Sequence, residues 1–262
     1  MPMRTRMMTA AALFAAAGPA LGGAWTMPPG HGQVTISTTA SQADASFDSQ
    51  GSIYDTPRYR KLEAEALLEY GANDRLTVLL GPGFQHIDIA PPVDASRTGA
   101  GYTEFGGRYR LLRGSDWVFS GQGLMRVPGT TDAGNPAAIG YTGTEFDARL
   151  LFGKSFTANG LPAFVDLEAA QRFRSEAPDE FRFDATLGVR VAPRWQLLAQ
   201  SFTVIAESDT ALIPNYDYSK LQLSAVYDID AHWSMEFGGF ATVLGRNAIQ
   251  ENGLVGGLRY NF

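Results

Sequence analysis

The chain is 262 residues long, 45% hydrophobic, 11% aromatic and 18% charged, with 29 glycines, no cysteine and a net charge of −6. It is too apolar for a disordered chain and too polar for a bundle of membrane helices, and after residue 24 no run approaches the roughly 20 apolar residues that a spanning helix needs. Without cysteine there is no disulfide framework, thiol nucleophile or cysteine metal site, and the acidic balance argues against nucleic-acid binding through a basic face.

At the N-terminus, Arg4 and Arg6 precede an uncharged stretch, Met7 to Ala17, which runs into Gly18-Pro19 and small residues ending Gly22-Gly23-Ala24. A positive start, a short apolar stretch and small residues make a secretory signal peptide. Residues 1–24 are read as that peptide, cleaved after Ala24 so that the exported domain, residues 25–262, starts at Trp25, with cleavage after Ala20 as the alternative. Loss of the two arginines leaves 19 basic and 27 acidic residues, a net charge of −8.

Beyond residue 31 apolar and polar residues alternate in segment after segment, separated by Gly, Asn, Asp and Pro, which is the period of half-buried strands. Twelve segments follow: 32–47, 58–71, 75–89, 98–112, 116–127, 142–156, 161–174, 180–192, 195–206, 218–228, 232–243 and 252–262. Most exceed the roughly 9 to 11 tilted residues of a transmembrane strand. Short connections, such as Ala72-Asn73-Asp74, Arg113-Gly114-Ser115 and Pro193-Arg194, alternate with longer ones near 48–57, 90–97, 129–141, 207–217 and 244–251. Short periplasmic turns and long outer loops mark bacterial outer-membrane barrels. The expected fold is therefore an all-β, transmembrane antiparallel β-barrel of 12 strands, integral to the outer membrane of a Gram-negative bacterium and surrounded by its lipid.

Trp117, Trp195 and Trp233 each follow a short turn, and Tyr260 and Phe262 close the chain at the same end. Amphipathic rings belong at a membrane interface, so these five form a predicted girdle on the periplasmic side. Tyr102, Tyr141, Phe181 and Tyr218 lie at the opposite strand ends and are candidates for the outer girdle.

Alternation sorts the two faces. In the last strand Leu254, Gly256, Leu258, Tyr260 and Phe262 share the lipid side, with Val255, Gly257, Arg259 and Asn261 opposite. The eighth segment sends Phe181, Phe183, Ala185, Leu187 and Val189 outward and Arg182, Asp184 and Arg190 inward. A charge on the lipid side costs roughly 2 to 4 kcal/mol near the midplane for Arg or Lys. The charged rows must then line the lumen, as selectivity candidates: Glu63, Glu65, Glu104, Arg108, Arg110, Arg126, Glu145, Asp147, Arg149, Asp166, Glu168, Arg172, Arg182, Asp184, Arg190, Glu236 and Arg259. The third and ninth segments alternate poorly at Leu79-Leu80 and Leu197-Leu198, and Pro82 between two glycines marks a bulge or kink.

Catalytic chemistry finds little support. There are three histidines: His31 precedes the first strand, His232 flanks a periplasmic turn, and His86, near the outer rim, is followed by no serine or asparagine at close spacing; no Gly-x-Ser-x-Gly elbow occurs. Glu145/Asp147 and Asp166/Glu168 could pair for acid/base work, but Arg149, Arg172 and Arg174 beside them read as charge-neutralised packing. Gly153-Lys154-Ser155 has Ala148 where a phosphate loop needs glycine. No metal-ligand spacing, cofactor motif or enzymatic activity is expected.

Two stretches carry a resemblance: Ala24-Trp25-Thr26-Met27-Pro28-Pro29-Gly30-His31-Gly32-Gln33, and Glu69-Tyr70-Gly71-Ala72-Asn73-Asp74-Arg75-Leu76-Thr77. They resemble the outer-membrane barrels grouped as meta-pathway phenol-degradation proteins. That resemblance implies transport of small organic solutes, aromatic ones among them, and carries no catalytic residues. A related Trp-Pro-Gly-Gly-Gln opening is similar to that of barrels associated with exopolysaccharide systems, which keeps open a structural or export-assisting barrel closed by ion pairs. The terminal strand ending on Phe262 resembles the signal read by the barrel-assembly machinery.

Overall fold

A computed structural model describes residues 23–129, 134–138, 143–175, 177–206 and 215–262. The strands are β1 (Gly32–Phe47), β2 (Ile53–Gly71), β3 (Leu76–Ile89), β4 (Ala95–Arg113), β5 (Trp117–Pro128), β6 (Glu145–Ala158), β7 (Leu161–Arg174), β8 (Glu180–Ala192), β9 (Trp195–Ala206), β10 (Tyr216–Asp228), β11 (Trp233–Arg246) and a C-terminal strand, Asn252–Asn261. Each pairs antiparallel with its neighbours in the chain, and the C-terminal strand pairs with both β11 and β1, so the sheet closes. This is the expected 12-strand barrel. A two-residue pairing, Ala248–Ile249, continues the seam to the end of β1, and Pro136–Ala138 makes one turn of 3₁₀ helix.

Closure leaves no free edge in the wall, which is what lets a sheet cross lipid with its backbone groups satisfied. The turns on one rim have local causes. Asn159 and Gly160 both have positive φ, 50° and 80°, the two-residue turn that matches strand twist. Asn73 accepts the N–H groups of Arg75 and Leu76, and Asp230 those of His232 and Trp233. Those bonds hold the Asp230 carboxyl below the usual carboxylate range. The expected kink appears as a register shift between Pro82 and Phe84. Strands β2 and β4 start at Ile53 and Ala95, earlier than 58 and 98. Above the membrane both faces are wet, so the pairing continues where alternation has no cause.

The molecule is apolar outside and polar within. Leu254 is 70% exposed and Leu223 69%, whereas Arg108 and Glu69 are 1% exposed. On the first rim Trp195 lies against Tyr227 and Phe237, and Trp233 against Tyr260, which stacks in turn on Phe262. Trp117 stacks on Phe152. The outer girdle differs from expectation. Phe181 faces outward, but Tyr102 bonds Glu145 inside the barrel and Tyr218 has Lys220 over its ring, because buried charges there take the aromatic tip. Tyr141 lies outside the described residues, as do residues 1–22, where the expected signal peptide falls.

Facing gives a direct contrast. Leu187→Arg on the lipid side is expected to cost about 2 to 4 kcal/mol in urea titrations of refolding into vesicles. Thr186→Arg, one residue away and facing the lumen, should cost much less; equal costs would contradict this assignment of faces.

Candidate solute pathway

From the outer rim inward, the lumen is crossed by an ion-pair ladder on the β4–β8 side. Arg174 bonds Glu145 at 2.9 Å, Glu180 at 2.9 Å and the Tyr216 hydroxyl at 2.7 Å. Arg182 also reaches Glu180, at 3.0 Å. Arg126 joins Glu104 to Glu145 and lies 4.3 Å from the centre of the Tyr102 ring. Arg172 bonds Asp147 at 3.1 Å, and Arg149 joins Asp147, Glu168 and Asp184. Period-2 facing puts these side chains on one surface, and neighbouring registers such as Asp147↔Arg172 and Glu145↔Arg174 set opposite charges side by side.

The opposite wall is mostly neutral. Thr186, Gln200, Gln222 and Ser224 hydrogen-bond among themselves. A charged node there is Glu251, held by Lys220 and Ser41, with Lys61 at 3.9 Å and Lys61 bridging on to Glu63. Glu65 projects beside Glu63, in electrostatic range of Glu104 and Arg126.

Below the ladder is a cavity of about 210 Å³. Arg149, Arg172, Glu168 and Asp184 form its charged side, and Leu67, Leu79, Leu124 and Phe202 its apolar side. Guanidiniums facing aliphatic and aromatic groups across a small space suit a solute with one anionic end and one flat apolar end.

Two residues of the cavity lining, Arg108 and Asp166, also hold the chain's own N-terminal segment, which runs inside the barrel before turning into β1. Ala24 is fully buried; its nitrogen bonds the Asp166 carboxylate at 2.7 Å and its carbonyl accepts from Ser120 at 2.6 Å. Arg108 donates to the Trp25 carbonyl and to Glu69, each at 3.0 Å, and to Gln122. Thr77 accepts from the Met27 nitrogen at 2.8 Å, and the Gly30 nitrogen bonds the Gly71 carbonyl at 2.9 Å. The Trp25 ring meets Phe164 edge-on, centroids 5.9 Å apart at 87°, over a patch that includes Val118, Leu151, Leu198 and Val226. A Cβ on Gly153 would stand 2.6 Å from the Trp25 ring.

The charge rows expected in the lumen are there, but the lumen is not charged throughout. Its periplasmic part is an apolar seat for Trp25. The ladder brings together Glu104, Arg126, Glu145, Asp147, Arg149, Glu168, Arg172, Arg182 and Asp184. Asp166 and Arg108 hold the N-terminal segment instead. Arg190 pairs with Asp228 at 2.7 Å near the periplasmic rim, Arg110 faces inward opposite Ser120, and Glu236 and Arg259 are buried together inside β11 and the C-terminal strand, all apart from the ladder. His86 points out of the barrel and its Nδ1 lies 2.6 Å from the Thr98 hydroxyl. Among the described residues no group of three or more His, Asp or Glu side chains has metal-site geometry.

Gly153→Val is expected to push Trp25 out of its seat and raise ion conductance while the barrel keeps its heat-modifiable mobility on gels. Conductance equal to that of the unsubstituted protein would count against the seat.

No protein-family model matches the sequence, and no curated protein matches it. Solved structures do. The COG4313 outer membrane channel from Pseudomonas putida F1 is 14% identical over 93% of this chain and 100% of that one, with a TM-score of 0.76. The translocator domain of the autotransporter NalP from Neisseria meningitidis is 12% identical over 90% of both chains, TM-score 0.53. The NanC porin is 8% identical over 86% of this chain and 98% of that one, TM-score 0.51. At these identities the likeness is one of fold, that of outer-membrane barrels.

Proposed function

We propose that this protein is an outer-membrane channel for small organic solutes, aromatic acids among them, held closed by its own N-terminal segment. The observation that carries this reading is the cavity of about 210 Å³, charged on one side and apolar on the other, next to an N-terminal segment fixed by a few hydrogen bonds and one tryptophan. Such a segment can be unseated without breaking the wall, whereas a barrel built only for strength has no use for a two-sided cavity. Relatives of similar fold include channels and porins, and the resemblance of residues 24–33 and 69–77 to phenol-degradation barrels favours aromatic cargo. The C-terminal strand, with Phe262 and Gly32 exchanging two backbone hydrogen bonds of 2.9 Å, is the part that the assembly machinery would read.

Liposome swelling with refolded protein and a panel of benzoates, neutral sugars and amino acids tests the reading. Benzoates should enter faster than sugars of similar size; absence of flux for every solute would overturn it. The buried Arg108–Glu69 pair and the ladder also suit a closed, export-assisting barrel. In that case deletion changes surface polysaccharide and leaves small-solute uptake unchanged.

A further inference from the structure

Asp166 is a carboxylate, 4% exposed, that makes no ion pair among the described residues. Arg108 and Arg149, the cations that act on it, do so from beyond contact, because each is committed elsewhere: Arg108 to Glu69, Arg149 to Asp147, Glu168 and Asp184. Acids outnumber cations locally, since Glu168 stands beside Asp166 on the same face. A buried carboxylate in that position calls for a positive partner. Two groups touch it: the backbone nitrogen of Ala24, at 2.7 Å, and the carboxyl of Glu168, a second acid that can supply no positive charge.

Within an uncut chain that nitrogen is a neutral amide. Hydrolysis of the bond before it adds hydroxyl to the carbonyl carbon and hydrogen to the nitrogen, which takes up a further proton as an α-ammonium at ordinary pH. The stretch Ala20 to Ala24 offers small residues at several cleavage positions, so sequence alone leaves the bond open. We infer that the processed chain begins at Ala24, or one residue earlier at Gly23, and that its α-ammonium is the counter-ion of Asp166, pinning the N-terminus in mid-lumen. Gly23 and Ala24 are both buried, so both positions keep the charge inside. A chain starting at Trp25 would leave Asp166 facing only the Glu168 carboxyl and deprive Ser120 of its acceptor. One starting at Leu21 would carry the charge up to about 10 Å from Asp166.

The inference rests on residues 1–22 being a removed leader. Intact mass and N-terminal sequencing of the protein extracted from outer membranes should give a chain beginning at Gly23 or Ala24. A start at Leu21 or Trp25 would overturn the inference and leave the leader reading intact; a chain still beginning at Met1 would overturn both. Acylation by an amine-reactive ester, read on the N-terminal peptide, tests the pairing. The α-amine should react at least tenfold more slowly in the folded barrel than in the heat-denatured one, and Asp166→Asn should remove most of that protection. Equal rates in folded and denatured wild type would overturn the pairing even if D166N failed to assemble.

Discussion

Replacing Trp25 with alanine is expected to raise the conductance of the refolded barrel several-fold while the wall stays folded. The indole bridges two apolar patches that otherwise belong to no core, Phe164, Leu198 and Val226 on one side and Val118 and Leu151 on the other. Truncating a large buried aromatic costs about 3 to 5 kcal/mol, and for a half-buried ring the lower figure applies. About 3 kcal/mol shifts the balance between seated and unseated segment by roughly two orders of magnitude, at about 1.4 kcal/mol per tenfold. None of this touches the inter-strand hydrogen bonds that hold the wall. Planar-bilayer recordings should show larger or more frequent openings, and heat-modifiable mobility should be unchanged. A variant that conducts like the parent would show that the indole does not limit the lumen.

Arg108→Met is expected to be the most destabilising change in the lumen. The guanidinium is 1% exposed and satisfies Glu69, Gln122 and the Trp25 carbonyl together. Glu69 is as deeply buried, and its other partner is the Gln33 amide at 2.7 Å. Removing one member of such a pair strands a charge away from water, at about 3 to 5 kcal/mol. Urea titrations in vesicles should show a loss of that size, with much of it recovered in Arg108→Met/Glu69→Gln, where the stranded group is neutral and still accepts from Gln33. A double variant as unstable as the single one would contradict the pairing.

The barrel was legible in the sequence because lipid and lumen impose opposite demands on alternate residues, as β8 and the C-terminal strand show residue by residue. Turn chemistry, at Asn73, Asn159-Gly160 and Asp230, was legible for the same local reason. The N-terminal segment was not. Residues 24–30 have no period, and Trp25 reads only as the first residue after the leader. Its signature lay elsewhere, in inward positions that carry apolar or missing side chains: Val118, Leu151, Phe164, Leu198 and Val226, with Gly153 and Gly188. The broken alternation at Leu197-Leu198 was one visible part of that patch. Glu251 was missed because it sits in a connection and folds back over Ser41 and Lys220. Tyr102 and Tyr218 were placed in the outer girdle because position along a strand was read without its facing.

The central claim is that residues 24–30 lie in the lumen and close it. The protein has no cysteine, so a single introduced pair can be joined cleanly. The Met27 nitrogen and Thr77 hydroxyl are 2.8 Å apart, which puts Met27→Cys and Thr77→Cys within reach of a disulfide or short bis-thiol linker. The decisive measurement is conductance of that double variant before and after linking. The account predicts efficient linking of the folded barrel, suppressed openings in the linked form and their return on reduction; failure to link, or equal conductance in the two forms, would contradict it.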